Sequence, residues 1–199
     1  MNKTIAILTR PTAAELALLH RRLEHAAERA GVLDLAYTTI DSPVGSLLLA
    51  ATEVGLIRVA YAVEDHDRVL DALAKRVSAR VLRAPRRLDA CAAELDEYFA
   101  GSRRAFDLPL DLSLSSGFRQ LVQRHLPRVA YGTTQTYKGI AALVGNPAAM
   151  RAVGSACATN PLPIVVPCHR VLRTDGQLGG YIGGFEAKAA LLRLEGVAA

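Results

Sequence analysis

The chain has 199 residues, is 51% hydrophobic and 22% charged, and carries a formal net charge of +5. That length suits one domain or two small ones with a substantial core, and the apolar fraction excludes a disordered chain. Apolar runs are far too short to span a bilayer, the N-terminal run Ile5–Leu8 is a poor secretory leader, and Cys91, Cys157 and Cys168 form no CxxC, so a reducing cytoplasm without a disulfide framework or zinc site is expected.

Residues 12–30 read as an amphipathic helix, opened by a Thr12/Glu15 capping box and stopped by Gly31, with Leu16, Leu19, Leu23 and Ala27 along one face. "LAYTTID", "GSLLLAAT" and "GLIRVAYA" follow, separated by turn residues, and predict an antiparallel β unit. Helical spacing returns from Asp65 to Val77, a short strand is expected near Val81, and Arg87–Ala100 predicts another helix. Residues 102–114 have the character of an extended linker. Beyond them the spacing predicts helices around Phe118–Leu126, over Tyr137–Val144, over Ala148–Thr159 and from about Phe185 to Leu194, with a glycine-bearing loop before the last. The expected fold is α/β: a small N-terminal domain of antiparallel sheet and helices, then a mostly helical C-terminal domain with a helix-turn-helix and a long loop. The segments are 1–33 (a helical extension), 34–112 (domain and linker) and 113–199.

Charge separates the same two halves. Residues 1–112 hold 15 Lys and Arg against 16 Asp and Glu, whereas residues 113–199 hold 9 against 3. A solvated basic surface would produce this pattern, and so would a module that binds a polyanion such as nucleic acid. In "YKGIAALVGNPAAMRAVGSACA" two helices are joined by a tight turn, and the second is full of small residues, including Ala152, Gly154, Ser155 and Ala156. Small residues allow either close helix packing or close approach to a nucleic-acid groove.

Chemistry concentrates in "NPLPIVVPCHRVLRTDGQLGGYIGG", residues 160–184. Pro167 restricts the backbone before Cys168, and His169 can take a thiol proton directly or through water. A carboxylate usually orients such a histidine, and Glu186 and Glu195 are both candidates. An inert buried cysteine beside an incidental histidine is the plainer alternative. Five glycines and Tyr181 then offer backbone flexibility, amides and a phenol donor, enough to form a pocket for one flat heterocycle.

This stretch, with "YGTTQTYKGIAALVGNPAAMRAVGSACATNP" before it and "FEAKAALLRLEG" after it, resembles the active-site signature of the O6-alkylguanine–DNA alkyltransferases. The likeness is dense over residues 113–197 and weaker over the opening hairpin of the N-terminal domain. It implies direct DNA repair, in which the alkyl group of O6-alkylguanine, with O4-alkylthymine left open, moves once and irreversibly to Cys168. By position His169 is the activating base, Glu195 its orienting carboxylate and Asn160 the hinge before the active-site loop. Tyr137 matches the tyrosine that presses on the phosphate beside a flipped nucleotide, and Arg151 the arginine that fills the gap in the stack. Tyr181 matches a donor to the guanine, backbone near Val171 and Ile182 the holder of the base edge, and Lys188 a support of the loop. Ala152, Gly154, Ser155 and Arg170 are expected to touch DNA. The resemblance implies a monomer acting on double-stranded DNA, with no cofactor, metal or membrane. Ile182 is bulkier and Ala130 smaller than the family pattern, and residues 1–33 have no counterpart in it; they read as a packed helix or as a partner-binding segment. The intact Cys168, His169 and Glu195 argue against a lesion binder without chemistry, Arg151 and the helix-turn-helix against a Cys–His hydrolase, and PCHR against a transcription regulator.

Overall fold

A computed structural model describes residues 10–197; the apolar run Ile5–Leu8 lies outside them. Residues up to Leu33 form one unit and those from Asp34 onward a second. In the first, helix α1 (Ala13–Arg29) is capped as the sequence predicts: Thr12 Oγ1 accepts from the Glu15 amide, and the Glu15 carboxylate accepts from Thr12. Its predicted apolar face is not a buried one, for Leu16, Leu19 and Leu23 all stand about half exposed (52%, 54% and 53%).

The second unit opens with β1 (Leu35–Ile40), β2 (Leu47–Ala51) and β3 (Leu56–Tyr61), an antiparallel meander. After α2 (His66–Arg76), β4 (Val81–Arg83) joins the far side of β1 in parallel, so the sheet is mixed, in the order β3-β2-β1-β4. The α2 crossover that parallel pairing requires is the reason β4 can run this way. All five residues of β2 are buried because both sheet faces are covered. Leu48 and Ala50 pack with Val69 and Leu73 of α2. Leu47 and Leu49 face the larger core, which runs through Leu88, Leu95 and Tyr98 into Val122, Ile140, Val153, Cys168 and Leu191.

A 3-10 turn (Pro85–Leu88) leads into α3 (Asp89–Phe99), where the sequence suggested one continuous helix. Residues 102–114 form no helix. Leu110 pairs with Leu56, the Leu56 amide donates to Pro109 O and the Asp111 amide to Leu56 O, so this extended segment lies along the edge of β3. The C-terminal part contains α4 (Gly117–His125), β5 (Gln135–Thr136), α5 (Tyr137–Leu143), α6 (Met150–Ala158), β6 (Val171–Leu172) and α7 (Gly184–Leu194). The pair β5–β6 is parallel, two residues long and carries no periodic signature; it ties the start of the helix-turn-helix to the residue after PCHR.

Candidate active site

Cys168, His169 and Arg170 form one 3-10 turn, reached through a loop from Asn160. Inside that loop the fully buried Ile164 stands at φ 74°. A β-branched residue avoids this left-handed region, so the surrounding core holds the loop there against local strain. Asn160 is buried and uses both ends of its amide: Nδ2 donates to Val166 O (2.8 Å) and to Cys168 Sγ (3.2 Å), and Oδ1 accepts from the Leu162 amide. The thiol is 1% exposed. Burial pushes it up to about 11, with Asn160 and Lys188 pulling partly against that shift.

His169 Nε2 lies 2.8 Å from Glu195 Oε1, both side chains fully enclosed. Glu195 also accepts from Arg170 Nε and Nη2 and from the Tyr98 hydroxyl at 2.7 Å. Burial alone would raise the carboxyl, but His169, Arg170 and Tyr98 together outweigh it and hold Glu195 at about 2. Burial lowers His169 despite the carboxylate's opposing pull. An ionised Glu195 can only accept, so Nε2 carries the imidazole hydrogen and Nδ1 is left as a basic lone pair. Nδ1 is buried with no hydrogen-bond partner. Glu186, the other candidate carboxylate, is exposed on the first turn of α7.

Arg170 departs from expectation. It is buried, its fork is occupied by Glu195, and Nη1 donates to Val129 O. A guanidinium committed in this way offers nothing to a phosphate, so Arg170 belongs to the site's interior and not to a DNA surface.

The remaining residues divide between loop and helices. Lys188 of α7 is fully buried and donates to Val171 O at 2.7 Å, which leaves that carbonyl one lone pair for another donor. Tyr181 stands edge-on to His169, with ring centroids 6.3 Å apart. Gly179 and Gly183 admit close approach: a Cβ at 179 would stand 2.3 Å from the Tyr137 hydroxyl, and one at 183 would stand 2.6 Å from the Tyr61 ring. Ile182 lines a cavity of about 380 Å³ with Leu73, Leu114, Ala158 and Pro161. Tyr137 is the first residue of α5, where the Thr136 hydroxyl caps the helix by accepting from Gly139. It shares a cleft of about 370 Å³ with Met150, Arg151, Gly154 and Arg173. On α6, Val153, Ala156 and Cys157 point inward, while Arg151, Ala152 and Ser155 are exposed and Gly154 is partly so. The small residues thus pack on one face of α6 and leave the other low and open.

Sequence reasoning missed Tyr98, Tyr61 and Arg173. The two tyrosines lie in the N-terminal part and reach the site only through the tertiary fold. Arg173 does follow PCHR closely, and its sign in a basic segment was the available signal.

The fold and site together define a cysteine protein whose thiol, imidazole and carboxylate are built beside a helix-turn-helix. The profile described as "6-O-methylguanine DNA methyltransferase, DNA binding domain" matches residues 117–197, and the one described as "6-O-methylguanine DNA methyltransferase, ribonuclease-like domain" matches residues 35–112. The methylated-DNA–protein-cysteine methyltransferase of Methanosarcina barkeri is 38% identical over 159 residues, 80% of this chain and 96% of that protein. The constitutive one of Bacillus subtilis is 41% identical over 160 residues, 80% of this chain and 94% of that protein. A crystal structure of Mycobacterium tuberculosis OGT in complex with DNA superposes with a TM-score of 0.71 at 39% identity, covering 80% of this chain and 92% of that one. The chain belongs to the 6-O-methylguanine DNA methyltransferase family.

Proposed function

We propose that this protein repairs double-stranded DNA by moving the alkyl group of O6-alkylguanine onto Cys168, once per molecule, acting as a monomer in the cytoplasm. The observation that carries the reading is the buried, hydrogen-bonded pair His169–Glu195 next in sequence to a buried Cys168 whose thiol is held by Asn160. None of these groups is exposed, so a base must be brought to them out of the stack. Extrusion costs a few kcal/mol and leaves a gap to be filled. Arg151, exposed on the first turn of α6 and bordering the same cleft as Tyr137, suits that gap. The open face of Ala152, Gly154 and Ser155 suits a minor groove, where readout is degenerate and repair need not depend on sequence.

The chemistry is one displacement. A water bridging the two groups passes the Cys168 proton to His169 Nδ1, while Glu195 stabilises the imidazolium that forms. The thiolate sulfur attacks the alkyl carbon, the carbon–O6 bond breaks, and its electron pair leaves with guanine. A donor at Tyr181 stabilises the departing oxyanion, and the proton lost by sulfur ends on the base. The thioether product has no bond that water readily opens, so turnover stops at one.

The test is an intact mass with peptide mapping after incubation with a duplex containing O6-methylguanine. One methyl group on Cys168, saturating at one equivalent and absent in Cys168→Ala, is expected. Tight binding without any gain in mass would instead mark a lesion binder with an unreactive thiol.

A further inference from the structure

Tyr61 closes β3, where Val59 and Tyr61 point into the core that contains Cys168 while Ala60 points to the α2 side. The ring is only 2% exposed. A buried phenol needs a partner for its hydroxyl, and Tyr61 finds one in the active-site loop: its oxygen lies 2.9 Å from the Tyr181 hydroxyl oxygen. The rings meet edge to face, with centroids 5.7 Å apart and planes at 74°. The fit depends on Gly183, since any Cβ there would overlap the Tyr61 ring.

Neither hydroxyl has another partner among the described residues, so in the free protein either can donate. Only donation from Tyr61 to Tyr181 leaves the Tyr181 hydrogen free for a bound base, so a base that accepts from Tyr181 selects that direction. A hydroxyl that accepts a hydrogen bond also donates a stronger one.

The geometry points to Tyr61 as a positioning residue for alkyl transfer: it fixes the Tyr181 hydroxyl and, by donating to it, strengthens the bond Tyr181 gives the departing guanine. This rests on the functional reading above, in which Tyr181 faces the base. It makes the N-terminal half a contributor to the chemistry as well as to the fold.

Single-turnover kinetics test it, with protein in excess over an O6-methylguanine duplex, for wild type, Tyr61→Phe, Tyr181→Phe and the double variant. Phenylalanine keeps the ring against Gly183. Tyr61→Phe should lower the limiting rate constant about tenfold, as loss of an indirect donor would, while the half-saturating protein concentration stays within about twofold. The double variant should be no slower than Tyr181→Phe, because Tyr61 acts only through that hydroxyl. An unchanged limiting rate in Tyr61→Phe, or penalties that multiply in the double variant, would overturn the assignment. A wild-type protein that gains no methyl group would remove the functional reading and this inference together; an active wild type with an indifferent Tyr61→Phe removes the inference alone.

Discussion

Glu195 accepts from three side chains in a space closed to water, and that concentration makes it the residue on which the site's stability turns. Glu195→Gln leaves the Arg170 charge buried without its counter-ion and should cost about 3 kcal/mol in urea unfolding at neutral pH. The pH dependence follows in sign. Above its ordinary value of 4.5, Glu195 is ionised both folded and unfolded, and its contribution is complete. As pH falls through 4.5 the unfolded chain takes up a proton that the folded one refuses, and the contribution is gone by about 2. His169, lowered by burial, adds to the same trend below 6.5, where the unfolded chain again protonates first. Wild-type stability should therefore rise with pH across this acidic range, and Glu195→Gln should flatten its lower part. Cys168 gives a second residue-scale prediction. With the thiol enclosed and held near 11, iodoacetamide should label it slowly at pH 7 in the absence of DNA and faster as pH approaches 11. A rate at pH 7 equal to that of a free cysteine would contradict this picture. The pairing of Cys168 with His169 was legible from the residues themselves, whereas the choice of Glu195 over Glu186 and the place of Asn160 came only from the family resemblance. The commitment of Arg170 was not legible, since a lone arginine in a basic segment reads the same whether it faces a phosphate or a buried carboxylate.

The pair α5–α6 brings one aromatic and one cation to a shared cleft, Tyr137 from the start of the first helix and Arg151 from the start of the second. If Arg151 supports an extruded base, its value appears only when a stack must be opened. Arg151→Ala should slow transfer from a duplex by at least about tenfold, since one order of magnitude needs only about 1.4 kcal/mol, while reaction with the free O6-alkylguanine base stays unchanged. Equal losses on both substrates would move Arg151 out of that role. Most helices were legible because caps and stops are local: Thr12 with Glu15, Gly145 through Pro147, Asn160 with Pro161. The two-residue pairing of β5 with β6 and the parallel seat of β4 were not, because register is decided by what the rest of the chain covers.

At the scale of the whole molecule, the cationic excess lies in residues 113–199, the part that carries α5 and α6. Duplex affinity should therefore fall linearly on a log–log plot against salt, with a slope of roughly 0.9 per phosphate neutralised. Neutralising Lys138, which is exposed on the first turn of α5, should reduce that slope by about one. The basic excess and dense motif pattern of residues 113–199 were legible; their dependence on the residues before them was not, since Tyr98 and Tyr61 each find their partner about a hundred positions away. The tight seat of Cys168 carries a last consequence. Its sulfur is enclosed and held by Asn160, at the end of a loop whose Ile164 is already strained. An added carbon takes away the thiol, crowds the Asn160 amide and demands volume, which typically costs about 1–3 kcal/mol. The methylated protein should melt about 3–10 °C below the unreacted one, as differential scanning calorimetry of the two forms can measure. Each molecule would then hold a record of its single event, written in packing and not in charge, that a protease reads as readily as a calorimeter does.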